Sequence, residues 1–290
     1  MRKIFTPLAC SLLIGISLTA CSNENPQTTD TTFQLNSSIL PTRAPQLNAN
    51  GGGTFSKNDE NTLFFQAPQG TLVKSFTYIY GKTYYWNELN LPSSHKELQV
   101  SGCYPTITTS TPTLFAWDVR NASVTADLLL APPVSVTPNT TPDIRLQFNH
   151  AMHQLQIELK ADGTTLQQAA CSQAKLTCRN FLPIANVNLL QGAVISASGD
   201  KSSLQATGDK ATFILPPQAV GNLQLQVQLS GREYTFDLST HQIAGSPITQ
   251  LESGKSIKLT ITVSKTSFSV TGQNIGAWES QGESNGSIIL

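Results

Sequence analysis

The stretch Asp143-Ile144-Arg145-Leu146-Gln147-Phe148-Asn149-His150-Ala151-Met152-His153-Gln154-Leu155-Gln156-Ile157-Glu158-Leu159 decides the fold class. Ile144, Leu146, Phe148, His150 and Met152 alternate in one phase, and Leu155, Ile157 and Leu159 in the other. Successive side chains of a strand point to opposite faces, so each run predicts a strand with one buried face. The one-residue slip near His153 predicts a bulge or bend between the two strands.

The same signature extends outward. From Thr62 onward, apolar runs of four to eight residues are bounded by Gly, Pro, Asn and Ser, and few segments offer a helix. Further strands are predicted over 62–65, 75–80, 83–86, 98–100, 113–117 and 126–130, then over 185–190, 192–197, 211–215, 223–229, 234–238, 256–263 and 267–270. Leu223, Leu225, Val227 and Leu229 alternate with Gln224, Gln226 and Gln228, the cleanest strand with one buried face. Ala161 to Arg179 is polar and loses the alternation, which places a boundary between β-rich domains of residues 62–165 and 166–290.

Charge excludes several functions. The 290 residues carry 18 Lys+Arg and 18 Asp+Glu, so charged residues are 12% of the chain, against about 25% in an average globular protein. Thr (33) and Ser (29) fill the polar positions instead. So few basic groups cannot build a phosphate-neutralising patch, which argues against nucleic acid as a partner. Abundant Thr also favours pleated structure over helix.

The first twenty residues read as a lipoprotein signal peptide: Arg2-Lys3, then an apolar stretch from Ile4 to Leu18, too short to span about 30 Å of hydrocarbon. Leu18-Thr19-Ala20-Cys21 has the form of a lipobox, which makes Cys21 the acylated residue and predicts an outer-membrane lipoprotein held by acyl chains such as palmitate. Residues 21–61 follow as tether and linker, polar through Thr32 and Gly-rich at 51–53. Cys103, Cys171 and Cys178 then remain. Cys171 and Cys178 are close enough to close a small loop by a disulfide; the alternative is reduced, partly buried thiols.

No chemistry-bearing motif stands out. His150 and His153 are spaced i, i+3, which on strands sends them to opposite faces, and Glu158 is the nearest carboxylate, so neither metal nor cofactor is expected. Nucleophile-elbow, zincin, Walker and dinucleotide motifs are missing from the sequence, and no enzyme is predicted. Asp59-Glu60 reads as a solvated turn. Tyr78, Tyr80, Tyr84, Tyr85 and Trp86 could form a carbohydrate platform, but in alternating runs such residues more often pack across strands.

Seven segments in order resemble the fimbrillin superfamily of Bacteroidales lipoproteins, the subunits of type V pili. They are the lipobox at Cys21; Pro41-Thr42-Arg43-Ala44; Ala126-Asp127-Leu128-Leu129-Leu130-Ala131; the block Leu146 to Leu155 containing Phe148-Asn149-His150-Ala151-Met152; Ile214-Leu215-Pro216-Pro217-Gln218; Ser253-Gly254-Lys255 before Ile257 to Val263; and Ile275-Gly276-Ala277-Trp278. The resemblance implies two tandem transthyretin-like Greek-key β-sandwiches. It also implies a surface fimbrium in which an arginine-specific protease removes an N-terminal strand and a donor strand from another fimbrillin subunit replaces it. On that reading the strand is Thr32 to Leu40, with Phe33, Leu35 and Ile39 apolar, and cleavage falls between Arg43 and Ala44. The polar run from Glu279 to Gly286 before Ile288-Ile289-Leu290 makes a poor donor, which favours a tip or accessory subunit over a major shaft subunit. A lipid-retained anchor and a surface glycan-binding lipoprotein are the other readings, with host or glycan ligands as further partners.

Overall fold

The computed structural model describes residues 31–39, 54–120, 126–240, 242–243, 246–265, 268–274 and 283–284. Cys21, Arg43, Ala44, Gly51–Gly53, Ile275–Trp278 and Ile288–Leu290 lie outside the described residues.

The first half of the chain contains β1 (Thr32–Ile39), β2 (Glu60–Gln66), β3 (Leu72–Ile79), β4 (Tyr84–Tyr85), β5 (Leu98–Tyr104), β6 (Phe115–Asp118), β7 (Leu129–Val136) and β8 (Asp143–His150). All but β6 form one hydrogen-bonded sheet in the order β3-β2-β5-β7-β8-β1-β4. This sheet folds over itself between β7 and β8. These antiparallel strands pair at Leu129↔His150 and Leu130↔Asn149, after which β8 pairs in parallel with β1 instead, from Gln34↔Asp143 to Ile39↔Phe148. Pro132 and Pro133 explain the parting, because neither offers an N–H to continue a ladder. β7, predicted to end at Leu130, runs on to Val136, and its register against β5 shifts across the two prolines, between Gly102↔Ala131 and Val100↔Val134. The two layers then close on one core of Phe33, Leu35, Leu63, Phe65, Leu98, Val100, Ile144, Leu146 and Phe148. Where they meet, a Cβ built on Gly102 would lie 2.9 Å from the Phe148 ring and 3.0 Å from Leu146, so this position of β5 has no room for a side chain.

The second half contains β9 (His153–Ala161), α1 (Gln168–Cys171), β10 (Lys175–Phe181), β11 (Ile184–Asn188), β12 (Ala193–Ser198), β13 (Ser202–Thr207), β14 (Lys210–Leu215), β15 (Gln218–Ala219), β16 (Gln224–Leu229), β17 (Arg232–Asp237), β18 (Gln242–Ile243), β19 (Ser246–Pro247), β20 (Gln250–Leu251), β21 (Ser256–Val263), β22 (Phe268–Asn274) and β23 (Glu283–Ser284). A five-stranded sheet β14-β9-β21-β22-β23 and a four-stranded sheet β13-β10-β16-β17 share a core that includes Leu155, Ile157, Leu176, Cys178, Leu225, Val227 and Ile261. The sheet β12-β11-β6 stands beside them and takes β6 from the first half. The protein is all-β with the expected sandwich architecture.

The polar run Ala161 to Arg179 lies within the second set of sheets: β9 already belongs to that set, and Lys175–Phe181 is a central strand between β13 and β16. Its buried residues are Leu176, Cys178 and Phe181, with the free Cys acting as a small hydrophobe. Sheet membership changes at Ala151–Met152, where the phase slip had placed a bend. Cys171 and Cys178, at the end of α1 and within β10, are free thiols, as is Cys103. Burial pushes the thiols of Cys103 and Cys178 up to about 12.

The halves share packing as well as chain. Phe64, Cys103 and Leu130 turn away from the first core and join the second, so β2 is buried on both faces, with Asn61, Thr62 and Gln66 buried beside Leu63-Phe64-Phe65. Gln66 Nε2 donates to the Leu190 carbonyl at 2.7 Å and Ser101 Oγ to the Leu189 carbonyl at 2.9 Å. The bend itself is clamped. Ala151 N–H donates to Leu128 O at 2.7 Å, Gly254 N–H to Met152 O at 3.0 Å and Ser253 Oγ to Ala151 O at 2.9 Å. His150 contacts Asp127 through Nδ1, and burial raises the Asp127 carboxyl above the usual carboxylate range, with the His150 contact opposing it. His153 is fully buried with Nδ1 at 3.1 Å from the Glu252 carbonyl, and burial depresses its pKa from 6.5 to about 4.

Two outcomes follow from this packing. Gly102→Ala should lower stability by about 1–3 kcal/mol through overpacking at the layer junction, read as a fall in the urea midpoint. Between pH 6.5 and about 4 the unfolded chain takes up a proton that folded His153 refuses, so stability falls as pH falls through that window, by about 3 kcal/mol. Asp127 works in the opposite direction, so the comparison must be with His153→Gln, whose urea midpoint should fall less than that of the native chain between pH 7.5 and 4.5.

Candidate functional site

The residues of β1 alternate Phe33, Leu35, Ser37 and Ile39 on one face with Gln34, Asn36 and Ser38 on the other. Phe33, Leu35 and Ile39 are buried, while Thr32, Gln34, Asn36 and Ser38 are exposed. The strand is thus amphipathic on its own, and needs a groove to lie in.

Aromatic residues build one end of that groove. Phe33 lies 4.9 Å from the Trp86 ring, 5.9 Å from Tyr84 with the rings stacked, 6.3 Å from Phe76 and 6.5 Å from Tyr78. Trp86 is fixed by its indole N–H, which donates to Thr141 O at 3.0 Å, and by its backbone N–H, which donates to Thr31 O at 3.1 Å. Three of the five aromatics singled out in the sequence, Tyr78, Tyr84 and Trp86, therefore pack around Phe33. Tyr78 and Trp86 are buried, and Tyr85 is the exposed member of the five. Phe55, expected within a flexible linker, stacks on Tyr80 at 4.9 Å and meets Phe148 edge-on at 5.2 Å.

Hydrogen bonding differs along the two edges of β1. On one edge the backbone pairs in parallel with β8; on the other, Thr32↔Tyr85 and Phe33↔Tyr84 form a short antiparallel pairing with β4. Beyond Phe33, tyrosine hydroxyls from β3 and the turn after it meet the strand: Leu35 N–H donates to Tyr78 OH at 3.1 Å, and Ser37 Oγ hydrogen-bonds Tyr80 OH. Tyr80 also accepts from Asn61 Nδ2 at 3.0 Å. Burial raises the Tyr80 pKa, more than its bonds to Ser37 and Asn61 lower it, so it stays a neutral hydroxyl able to donate and accept. The sequence singled out Tyr80 only as one of five clustered aromatics and did not single out Asn61, which stands two residues before Leu63-Phe64-Phe65 in β2.

The other candidates take structural places. His150 and His153 lie on either side of the bend, and Glu158 pairs with Lys258 at 2.6 Å instead of facing them. Among the described residues no group of three or more His, Cys, Asp or Glu is placed to hold a metal ion, and no helix is long and apolar enough to cross a membrane. Asp59 accepts from Ser56 N–H at 2.6 Å in a turn, and Glu60 opens β2.

Fold and groove together define a β-sandwich protein whose first strand lies in an apolar groove as an edge-pairing filler. Residues 16–278 match the family described as fimbrillin-like, and the chain belongs to that family. A candidate fimbrium subunit of Bacteroides uniformis, Fim1C, is 25% identical over 286 residues, covering 91% of this chain and 92% of that protein. Among solved structures, a candidate cell adhesion protein from Bacteroides uniformis superposes with a TM-score of 0.66 at 20% identity, over 86% of this chain and 99% of that one. A fimbrial assembly protein from Parabacteroides distasonis gives 0.51 at 9% identity, over 89% and 98%. These two likenesses establish the shared fold.

Phe33→Ala empties the aromatic pocket and should cost about 3–5 kcal/mol locally. Hydrogen exchange of the Leu35–Ile39 amides should then accelerate by two or more orders of magnitude, with the β9–β21 amides unchanged, whereas Gln34→Ala should alter neither.

Proposed function

We propose that this chain is a structural or adhesive subunit of a cell-surface fimbrium, joined to its neighbours by exchange of β1 for a strand of another subunit. The observation that carries the reading is the way β1 is held. Phe33, Leu35 and Ile39 fill a groove lined by side chains, and the parallel ladder from Asp143 to Phe148 gives the groove a backbone edge. With β1 gone, that edge presents unpaired N–H and C=O groups beside exposed apolar surface, which an extended segment of suitable pattern satisfies in one step. Family membership and the fimbrium description of the Bacteroides uniformis relative support it.

In the full form of the proposal the chain is exported as a lipoprotein, acylated at Cys21 and carried to the outer membrane. Cleavage between Arg43 and Ala44 severs β1 from the rest of the chain. A tip or accessory position suits a subunit that accepts a strand.

The test is direct. Surface fibres are isolated and the N-terminus of this chain within them is sequenced; a start at Ala44 is expected, and a start at Cys21, or absence from the fibres, overturns the reading. Arg43→Ala should leave the monomer folded and remove it from the fibres.

A further inference from the structure

The groove under β1 distinguishes positions as well as accommodating them. Phe33 enters a pocket of four aromatic rings, Leu35 and Ile39 are buried in the core of the first half, and between them Ser37 meets a hydroxyl. That hydroxyl is not free to turn away. Tyr80 is held by the stacked Phe55 ring and by Asn61 Nδ2, and Asn61 is itself fully buried, with Oδ1 making no hydrogen bond. Since Asn61 is the donor to Tyr80, the Tyr80 proton is left for the residue of the incoming strand that stands where Ser37 stands. An aliphatic side chain there would leave the hydroxyl without its acceptor at a half-buried site.

We infer that Tyr80, positioned by Asn61, is the specificity-determining residue of the groove, and that it selects a strand of pattern aromatic-x-aliphatic-x-hydroxyl-x-aliphatic lying parallel to β8. A strand that slipped by two residues would put Leu or Ile against Tyr80 and its aromatic ring outside the Phe76, Tyr78, Tyr84 and Trp86 pocket, so the one polar contact also fixes register. Within the 290 residues this pattern, taken as Phe/Tyr/Trp, Val/Ile/Leu, Ser/Thr and Val/Ile/Leu at every second position, occurs once, at Phe33-Leu35-Ser37-Ile39 itself. Phe236-Leu238-Thr240 comes nearest and has Gln242 in the last place. β1 of another copy fits as well but, once severed after Arg43, links no second subunit; the linking occupant is therefore a strand of a different protein carrying the same pattern, and not another segment of these residues. This rests on the strand exchange proposed above and adds what the exchanged strand must be.

The experiment uses the full chain, opened between residues 43 and 51 by a site-specific protease, and two fluorescent peptides: Thr32–Ile39 and the same peptide with Ser37→Val. The expected result is uptake of the first and about tenfold weaker uptake of the second, the order of effect of one unmade hydrogen bond. In Tyr80→Phe, checked for an unchanged thermal midpoint and keeping the ring that stacks on Phe55, the two peptides should bind within about twofold of each other. Equal uptake of both peptides by the native sequence overturns the specificity role and leaves strand exchange standing. Uptake of neither overturns strand exchange and this inference with it. Opened copies mixed alone should stay monomeric by size exclusion, and polymers formed from them would overturn the assignment of the donor to a different protein.

Discussion

The parallel ladder between β1 and β8 is the interaction on which the first half of the structure depends. From Asp143 to Phe148, β8 has parted from β7 and pairs with β1. The second layer of that sandwich is built chiefly from these two strands and the short β4. The arrangement has its origin in two prolines, which stop a hairpin ladder after two pairs and let one arm swing over the other. A layer that relies on its terminal strand in this way is incomplete without a strand in that place. Such a layer suits a role in which one strand is replaced by another.

The second constraint is the bend at Ala151–Met152. Four of the segments that resemble fimbrillins converge there: Asp127 and Leu128 from one, His150 to His153 from the next, Leu215 paired with His153, and Ser253-Gly254 closing over the turn. Gly254 has a φ of +69°, and a Cβ at that position would approach the His150 carbonyl to 3.2 Å, so a residue with a side chain would be strained. These segments serve the joint between the two sets of sheets, and one of them also reaches the β1 groove through Leu146 and Phe148, which pair with Ser37 and Ile39. Their recurrence in order is thus chiefly a record of architecture, which is why the family was legible in them.

Sparse charge takes on a meaning in this setting. Exposed positions of β1 are Thr, Gln, Asn and Ser, where Lys or Glu would commonly discourage edge pairing. Polar but uncharged strands pair with any suitable edge, so selection has to come from the buried face. In this groove it comes from one ring pocket and one hydroxyl.

The alternation of residues 143–159, the low charge and the seven ordered segments determined the fold class, the bend and the family, because period-two burial and local bends are written in neighbouring residues. Much of the strand inventory followed for the same reason, including β21 at Ser256–Val263 residue for residue. What failed locally was β10, whose apolar face includes a cysteine, and the continuation of β7 through Pro132-Pro133. Only the tertiary structure decided that Tyr78, Tyr84 and Trp86 pack around Phe33, that the change of sheet falls at Ala151–Met152, and that Asn61 and Tyr80 stand opposite Ser37. Those facts depend on contacts between residues from 19 to 102 positions apart, and no local pattern specifies which distant strand a side chain will meet.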